Sequence, residues 1–175
     1  FNRIMGGATN RVAEIHTDGR LAPLFDHRPG PDDPRFDFAE VIDEQTVVIF
    51  DFGGMQDAAK ATVTTALLST LWRALHARAQ AAGPTADLPL VNLYLEEAGA
   101  MGDSALLDRL LSRGRGFGLG VTLGVQFLSQ LDSPLPESRT YEEAINETAT
   151  VIAGRTNDTR ALDTALATDA MPRDA

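Results

Sequence analysis

Residues 90–98 read Leu-Val-Asn-Leu-Tyr-Leu-Glu-Glu-Ala, an apolar run that ends in two adjacent carboxylates. The run predicts a buried strand, and two unpaired anions are costly in the low-dielectric interior around such a strand. We therefore expect Glu96 and Glu97 at its carboxyl end, where open α/β sheets bind ligands. Taken alone, the run fits equally well an exposed strand end that carries two solvated glutamates.

Length and composition indicate about one globular domain, with 175 residues of which 43% are hydrophobic. No apolar stretch approaches the roughly 20 residues of a membrane span, and no signal peptide is visible. The absence of cysteine excludes disulfides, zinc–thiolate sites and thiol nucleophiles, and it fits a cytoplasmic protein. The chain opens at Phe1 inside a predicted helix, so we interpret it as part of a longer protein.

The net charge of −10 excludes a domain that is as a whole a basic nucleic-acid clamp. Lys60 is the only lysine, so arginine supplies nearly all of the positive charge. Two explanations are equally consistent with this bias. One is adaptation to a high-salt cytoplasm, where an acidic surface stays hydrated, and the other is a GC-rich genome that encodes arginine in place of lysine.

The hydrophobic pattern predicts four strands that alternate with helices. Such alternation favours an α/β fold with a parallel sheet and right-handed crossovers. The predicted strands are 47–50, 89–95, 119–125 and 149–153, and the predicted helices are 1–15, 36–43, 56–81, 104–112, 141–146 and 158–167. Helical spacing predicts the apolar faces of two of these helices, which are Ala59, Val63, Leu67, Leu71 and Leu75 in helix 56–81 and Leu106, Leu107, Leu110 and Leu111 in helix 104–112.

Residues that directly follow parallel strands lie at one edge of the sheet, and residues that directly precede strands lie at the other. The first group comprises Asp51, Glu96, Glu97, Gln126 and Arg155. Asp51 either joins a magnesium site or caps the turn before the long helix.

Arg115 belongs to the second group, because it precedes the third predicted strand. A helix of ten residues, about 15 Å long, separates it from Glu97. Arg115 therefore either acts on a phosphate held by a neighbouring subunit, or pairs with surface acids and the carboxyl end of a helix.

The order of these features resembles the HerA–FtsK superfamily of P-loop motor ATPases. The matching features are Glu96-Glu-Ala98, a leucine-rich helix, Ser112-Arg-Gly-Arg-Gly-Phe-Gly-Leu-Gly120, a strand, and Gln126-Phe-Leu-Ser-Gln130. The chain is most similar to the ATPases of type IV secretion and conjugation. The resemblance implies a RecA-like, three-layer α/β/α fold with a mainly parallel sheet, of which residues 1–175 form the C-terminal part.

The resemblance also implies a role for each candidate residue. Glu96 is the acid on the Mg²⁺ side, Glu97 polarises the attacking water, and Gln126 senses the γ-phosphate of ATP. Arg115 is implied to be an arginine finger that acts in trans within a homo-oligomeric ring, expected to be a hexamer. The implied partners are DNA and membrane-bound secretion or transfer components, reached from the cytoplasm at the inner face of the membrane.

Two features depart from the family pattern. Glu96 stands where aspartate is commoner, and no Gly-x-x-x-x-Gly-Lys-Ser/Thr motif occurs in the chain. In the family this phosphate loop lies upstream, so we expect the chain alone to bind ATP weakly. Two alternatives stay open: an inactive or accessory RecA-like domain used for ring assembly, and an ordinary α/β enzyme acting on another phosphorylated substrate.

Overall fold

The computed structural model describes residues 17, 19, 28, 30–83, 86–98, 104–127 and 148–152. The chain divides into two compact units, Phe1–Arg78 and Ala79–Ala175. The regular elements, in chain order, are α1 (Phe38–Asp43), α2 (Asp57–Ala82), β1 (Val91–Leu95), α3 (Ser104–Gly114), a 3₁₀ turn (Arg115–Phe117) and β2 (Leu119–Leu123). Within these ranges, no helix combines the length and apolar character needed to span a membrane.

The second unit contains a β1–α3–β2 crossover with a parallel sheet, as the sequence predicts. Val91 pairs with Leu119 and Leu95 with Leu123. Because side chains alternate along a strand, one face of the sheet carries only apolar residues. That face consists of Val91, Leu93 and Leu95 from β1 and Leu119, Val121 and Leu123 from β2.

Helix α3 packs against β2 and supplies most of the core of this unit. Leu106, Leu107 and Leu110 are buried, and Leu111 is half-buried. These are the four leucines that the sequence predicts for the inward face. Leu107 and Ala98 form a buried cluster, and the partly buried side chains packed on it are those of Leu95, Leu111, Leu123 and Val125.

Two glycines make the tight connection between α3 and β2 possible. Gly118 adopts a left-handed conformation with φ of 71°, which an L side chain disfavours. A Cβ atom on Gly114 would lie only 3.0 Å from Cδ2 of Leu119, so the close helix–strand approach favours glycine there. Gly114 and Gly118 thus serve the backbone geometry of this connection.

In the first unit, α1 is capped at both ends. The Asp37 carboxylate accepts a hydrogen bond of 2.8 Å from the Ala39 N–H at the start of the helix. At its end the N–H groups of Gln45 and Thr46 donate to the carbonyls of Ile42 and Val41, which is a Schellman motif. Gln45 occupies the left-handed position of that motif with φ of 53°.

The predicted strand over residues 47–50 is wrong, because residues 46–52 have no regular secondary structure. Val47 and Ile49 are each 86% exposed. The segment is held by aromatic contacts instead of a hydrogen-bond ladder. The Phe50 ring lies 5.3 Å from that of Phe36, 6.1 Å from that of Phe38 and 6.4 Å from that of Phe52.

The predicted fourth strand is also wrong over its described part. Residues 148–152 form no strand, and the Ile152 side chain is 92% exposed. A segment becomes a strand only when a neighbouring strand satisfies its backbone groups, and in the part of the chain that the structure describes the sheet consists of β1 and β2 alone. The predicted helices 1–15, 141–146 and 158–167 lie outside the described residues.

Helix α2 confirms the predicted long helix and extends it by one residue at its end. It terminates at Gly83, whose φ is 85° and whose N–H donates to the Ala79 carbonyl at 3.1 Å. The buried face comprises Ala59, Leu68, Leu71 and Leu75. The prediction placed Val63 and Leu67 on this face as well, whereas both are only half-buried.

Candidate functional site

The site predicted from the sequence begins at the turn directly after β1. Glu96 and Glu97 occupy this turn, and both side chains are exposed to solvent. Glu97 has a φ of 53°, in the left-handed region that non-glycine residues rarely adopt. Such a conformation costs roughly 1–2 kcal/mol for an L-residue, so the surrounding structure must enforce it.

The backbone of Gly124 enforces this turn through two hydrogen bonds. Its N–H donates to the Leu95 carbonyl at 2.8 Å, and its carbonyl accepts from the Ala98 N–H at 3.1 Å. We call this pair of bonds the Gly124 bridge. The bridge spans the two glutamates, because its contacts lie on the residues immediately before and after them.

Gln126 lies on the same edge of the sheet as the two glutamates. Leu95 and Leu123 are register partners, so the chain after Leu123 runs beside the Glu96–Glu97 turn. Gln126 follows Gly124 by two residues and its side chain is exposed. The structure therefore brings the ends of β1 and β2, with their acids and amide, to one edge.

Arg115 lies at the opposite edge of this sheet. Arg115 is the first residue of the 3₁₀ turn that precedes β2. At the end of that turn, the Gly118 carbonyl accepts a 2.8 Å hydrogen bond from the N–H of Val91, the first residue of β1. Five strand residues at about 3.3 Å each place the two edges roughly 16 Å apart. Arg115 is thus too distant to contact the acids of its own chain.

Asp51 caps a turn, one of the two roles considered for it. Its carboxylate accepts a 2.7 Å hydrogen bond from the Gly53 N–H. The residue belongs to the first unit, whereas Glu96, Glu97, Gln126 and Arg115 belong to the second. Arg155 lies outside the described residues.

The two glutamates have the donor chemistry for Mg²⁺, which takes oxygen ligands and is commonly held by one or two carboxylates together with water and substrate phosphates. Within the described ranges, no group of three or more histidine, cysteine, aspartate or glutamate side chains is placed to bind a metal ion. A pair of exposed carboxylates fits this open mode of magnesium binding better than an all-protein cage.

Sequence reasoning missed two residues that shape the site. Ala98 is 2% exposed and anchors the turn in the core, and Gly124 provides the hydrogen bonds of the bridge. The available signals were a small residue directly after the acids and a glycine directly after the apolar part of β2. The left-handed conformation of Glu97 has no sequence signal, because Glu is not a residue that favours it.

Comparison of the chain with protein-family models, with curated proteins and with solved structures returns no match.

Proposed function

We propose that this chain supplies the Walker B acids, a sensor and a trans-acting arginine to an ATPase that drives DNA translocation. The observation that carries the proposal is the conformation of Glu97. An exposed glutamate is held at a φ of 53° at the carboxyl end of a parallel strand. Strain of this kind clusters at functional sites, where it presents a side chain that a relaxed backbone would direct elsewhere.

Two adjacent carboxylates suit the two tasks of phosphoanhydride hydrolysis. Glu97 would accept a hydrogen bond from the attacking water and orient it, and Glu96 would hold Mg²⁺ beside the ATP phosphates. When bound, Mg²⁺ neutralises charge on the phosphate oxygens. Gln126, on the same edge, would donate to the γ-phosphate and sense its presence.

Arg115 fits the proposal only if the active site lies between subunits. Its edge lies roughly 16 Å from the acids, so the arginine of one protomer would serve the acids of the next. A basic edge on one copy and an acidic edge on its neighbour define a head-to-tail interface, which closes into a ring when the rotation permits. We propose a hexameric ring.

The remaining parts of the proposal rest on the family resemblance. They are a RecA-like three-layer fold, of which the parallel β1–α3–β2 unit would be part, and a cytoplasmic motor that works with membrane-bound transfer components. A chain with a net charge of −10 must confine its DNA contacts to a small basic patch or to other parts of the ring.

The central test measures ATP hydrolysis by the full-length protein, with and without DNA. Replacing the general base, as in Glu97→Gln, should lower kcat by about 10²–10⁴-fold. The matched control is Glu44→Gln, which changes an exposed glutamate in the first unit and should leave kcat unaltered. Equal rates for Glu97→Gln and the wild type would refute the assignment.

The trans arginine is tested separately with Arg115→Ala. Loss of an arginine finger should lower kcat by about 10³–10⁵-fold, or roughly 4–7 kcal/mol of barrier, while nucleotide binding stays intact. Arg73→Ala, which removes an exposed arginine of α2, is the control. Mixing Arg115→Ala with Glu97→Gln subunits should restore part of the activity, because some interfaces then combine an intact acid with an intact arginine.

The alternative function predicts a different result in the same assay. A full-length wild-type protein that forms rings but hydrolyses no ATP would assign this chain to an accessory role in assembly.

A further inference from the structure

We propose that Ala98 is a positioning residue that fixes the orientation of Glu97, an inference that rests on the proposed ATPase function. Ala98 does not reach the reacting atoms. It acts through the backbone. Directly after Glu97, the Ala98 side chain is buried in the core and the Ala98 N–H donates a hydrogen bond to the Gly124 carbonyl.

Both ends of the turn are anchored, and only the two glutamates between them are exposed. On the near side, Leu95 packs on the buried cluster and its carbonyl accepts from Gly124. On the far side, the Ala98 methyl lies in the same cluster and the Ala98 N–H donates to Gly124. Glu97 therefore cannot relax to a β or right-handed conformation without breaking one of these anchors.

The size of the Ala98 side chain matters for this role. The residue is only 2% exposed and is packed with Leu107, so a larger side chain would push the turn away from β2. Glycine would remove the buried methyl group and restore backbone freedom directly after Glu97. Alanine is the residue that is small enough for the site and still anchors the turn.

Displacement of Glu97 should affect turnover and not nucleotide affinity, since the carboxylate orients water. Misplacement of a catalytic group by about 1 Å costs on the order of 10²-fold in rate. We therefore expect Ala98→Gly, in the full-length protein, to lower kcat about 10- to 100-fold with KM for ATP changed less than about twofold.

The control must perturb the same core without touching the turn. Leu110→Val removes one methylene from a leucine of α3 that is 0% exposed. The two variants are compared at a temperature well below both melting transitions, and amide hydrogen exchange is followed in each. Ala98→Gly should accelerate exchange selectively at the Ala98 and Gly124 amides, whereas Leu110→Val should accelerate it throughout β1, α3 and β2.

The outcomes separate this inference from the proposed function. A loss of kcat confined to Ala98→Gly, together with local loss of amide protection, supports the positioning role. An active wild type in which the two variants lose kcat equally, or in which Ala98→Gly loses none, overturns the positioning role alone. An inactive wild type overturns the proposed function and with it the inference.

Discussion

Two segments of this chain have similar sequences and different structures. Residues 47–51 read Val-Val-Ile-Phe-Asp, and residues 91–96 read Val-Asn-Leu-Tyr-Leu-Glu. Each is an apolar run that ends in an acid. The second forms a paired strand with a covered face, while the first has no regular secondary structure and is largely exposed.

The difference lies in the elements that come after each run along the chain. After residues 91–96 comes the amphipathic helix α3 and then β2, so the crossover supplies both a hydrogen-bond partner and an apolar cover. After residues 47–51 comes a turn and the long helix α2, and no strand pairs with the run within the described ranges. Strand formation is thus decided by tertiary context more than by β-propensity.

The largest expected effect comes from removing the cover of the paired segment. Leu110→Ala should lower the free energy of unfolding by about 3–5 kcal/mol, because it leaves a cavity under the sheet. Ile49→Ala, at a position that is 86% exposed, should change it by less than about 0.5 kcal/mol. Urea denaturation of the two variants measures both values, and similar losses would contradict the exposure of the Ile49 side chain.

A smaller effect tests how the unpaired segment is held. Phe50→Ala should lower the free energy of unfolding by about 1–2 kcal/mol, because it removes three ring contacts at centroid distances of 5.3–6.4 Å. The expected loss is modest because the Phe50 side chain is already 41% exposed. Phe50→Leu, which keeps apolar volume without the ring geometry, should recover part of that loss. A cost as small as that of Ile49→Ala would contradict the aromatic anchor.

The smallest effect compares the two strained residues, Gln45 and Glu97, each with φ of 53°. Glycine at either position should raise the free energy of unfolding by about 0.5–1 kcal/mol. It relieves the left-handed strain of the native backbone, and the larger conformational entropy of glycine in the unfolded chain offsets part of that gain. Only Glu97→Gly should also abolish ATP hydrolysis, because Gln45 serves a helix end. Loss of stability at position 97 would show that its conformation is not strained.

The sequence predicts the β1–α3–β2 crossover and the long helix α2 well, and it predicts the segments at residues 47–50 and 149–152 poorly. The bounds of α3, its four inward leucines and the parallel pairing of β1 with β2 follow from periodicity, because helix and strand signals there agree with their neighbours. The run at Val47 carries an equally strong strand signal. Whether this run forms a strand depends on the presence of a pairing strand and on ring contacts from Phe36 and Phe38, and a local sequence pattern encodes neither.

For the candidate site, the sequence places Glu96, Glu97, Gln126 and Arg115 at the correct edges of the β1–β2 sheet but says nothing of backbone detail. It is wrong for Asp51, which follows no strand. Arg115 and Glu97 lie at opposite edges because Glu97 follows β1, whereas Arg115 precedes the parallel strand β2. The left-handed turn and the Gly124 bridge depend on two hydrogen bonds between segments that α3 keeps apart in the chain. Contacts of this kind are set by the packed core and are visible only in three dimensions.

The parallel arrangement of β1 and β2 also has a kinetic consequence. Its first contact, Val91 with Leu119, joins residues separated by the whole of α3. A helix forms on the submicrosecond to microsecond scale, whereas non-local pairing must first overcome the entropy of loop closure. Early formation of α3 would shorten that loop, so changes that weaken this helix should slow the folding rate more than they speed unfolding.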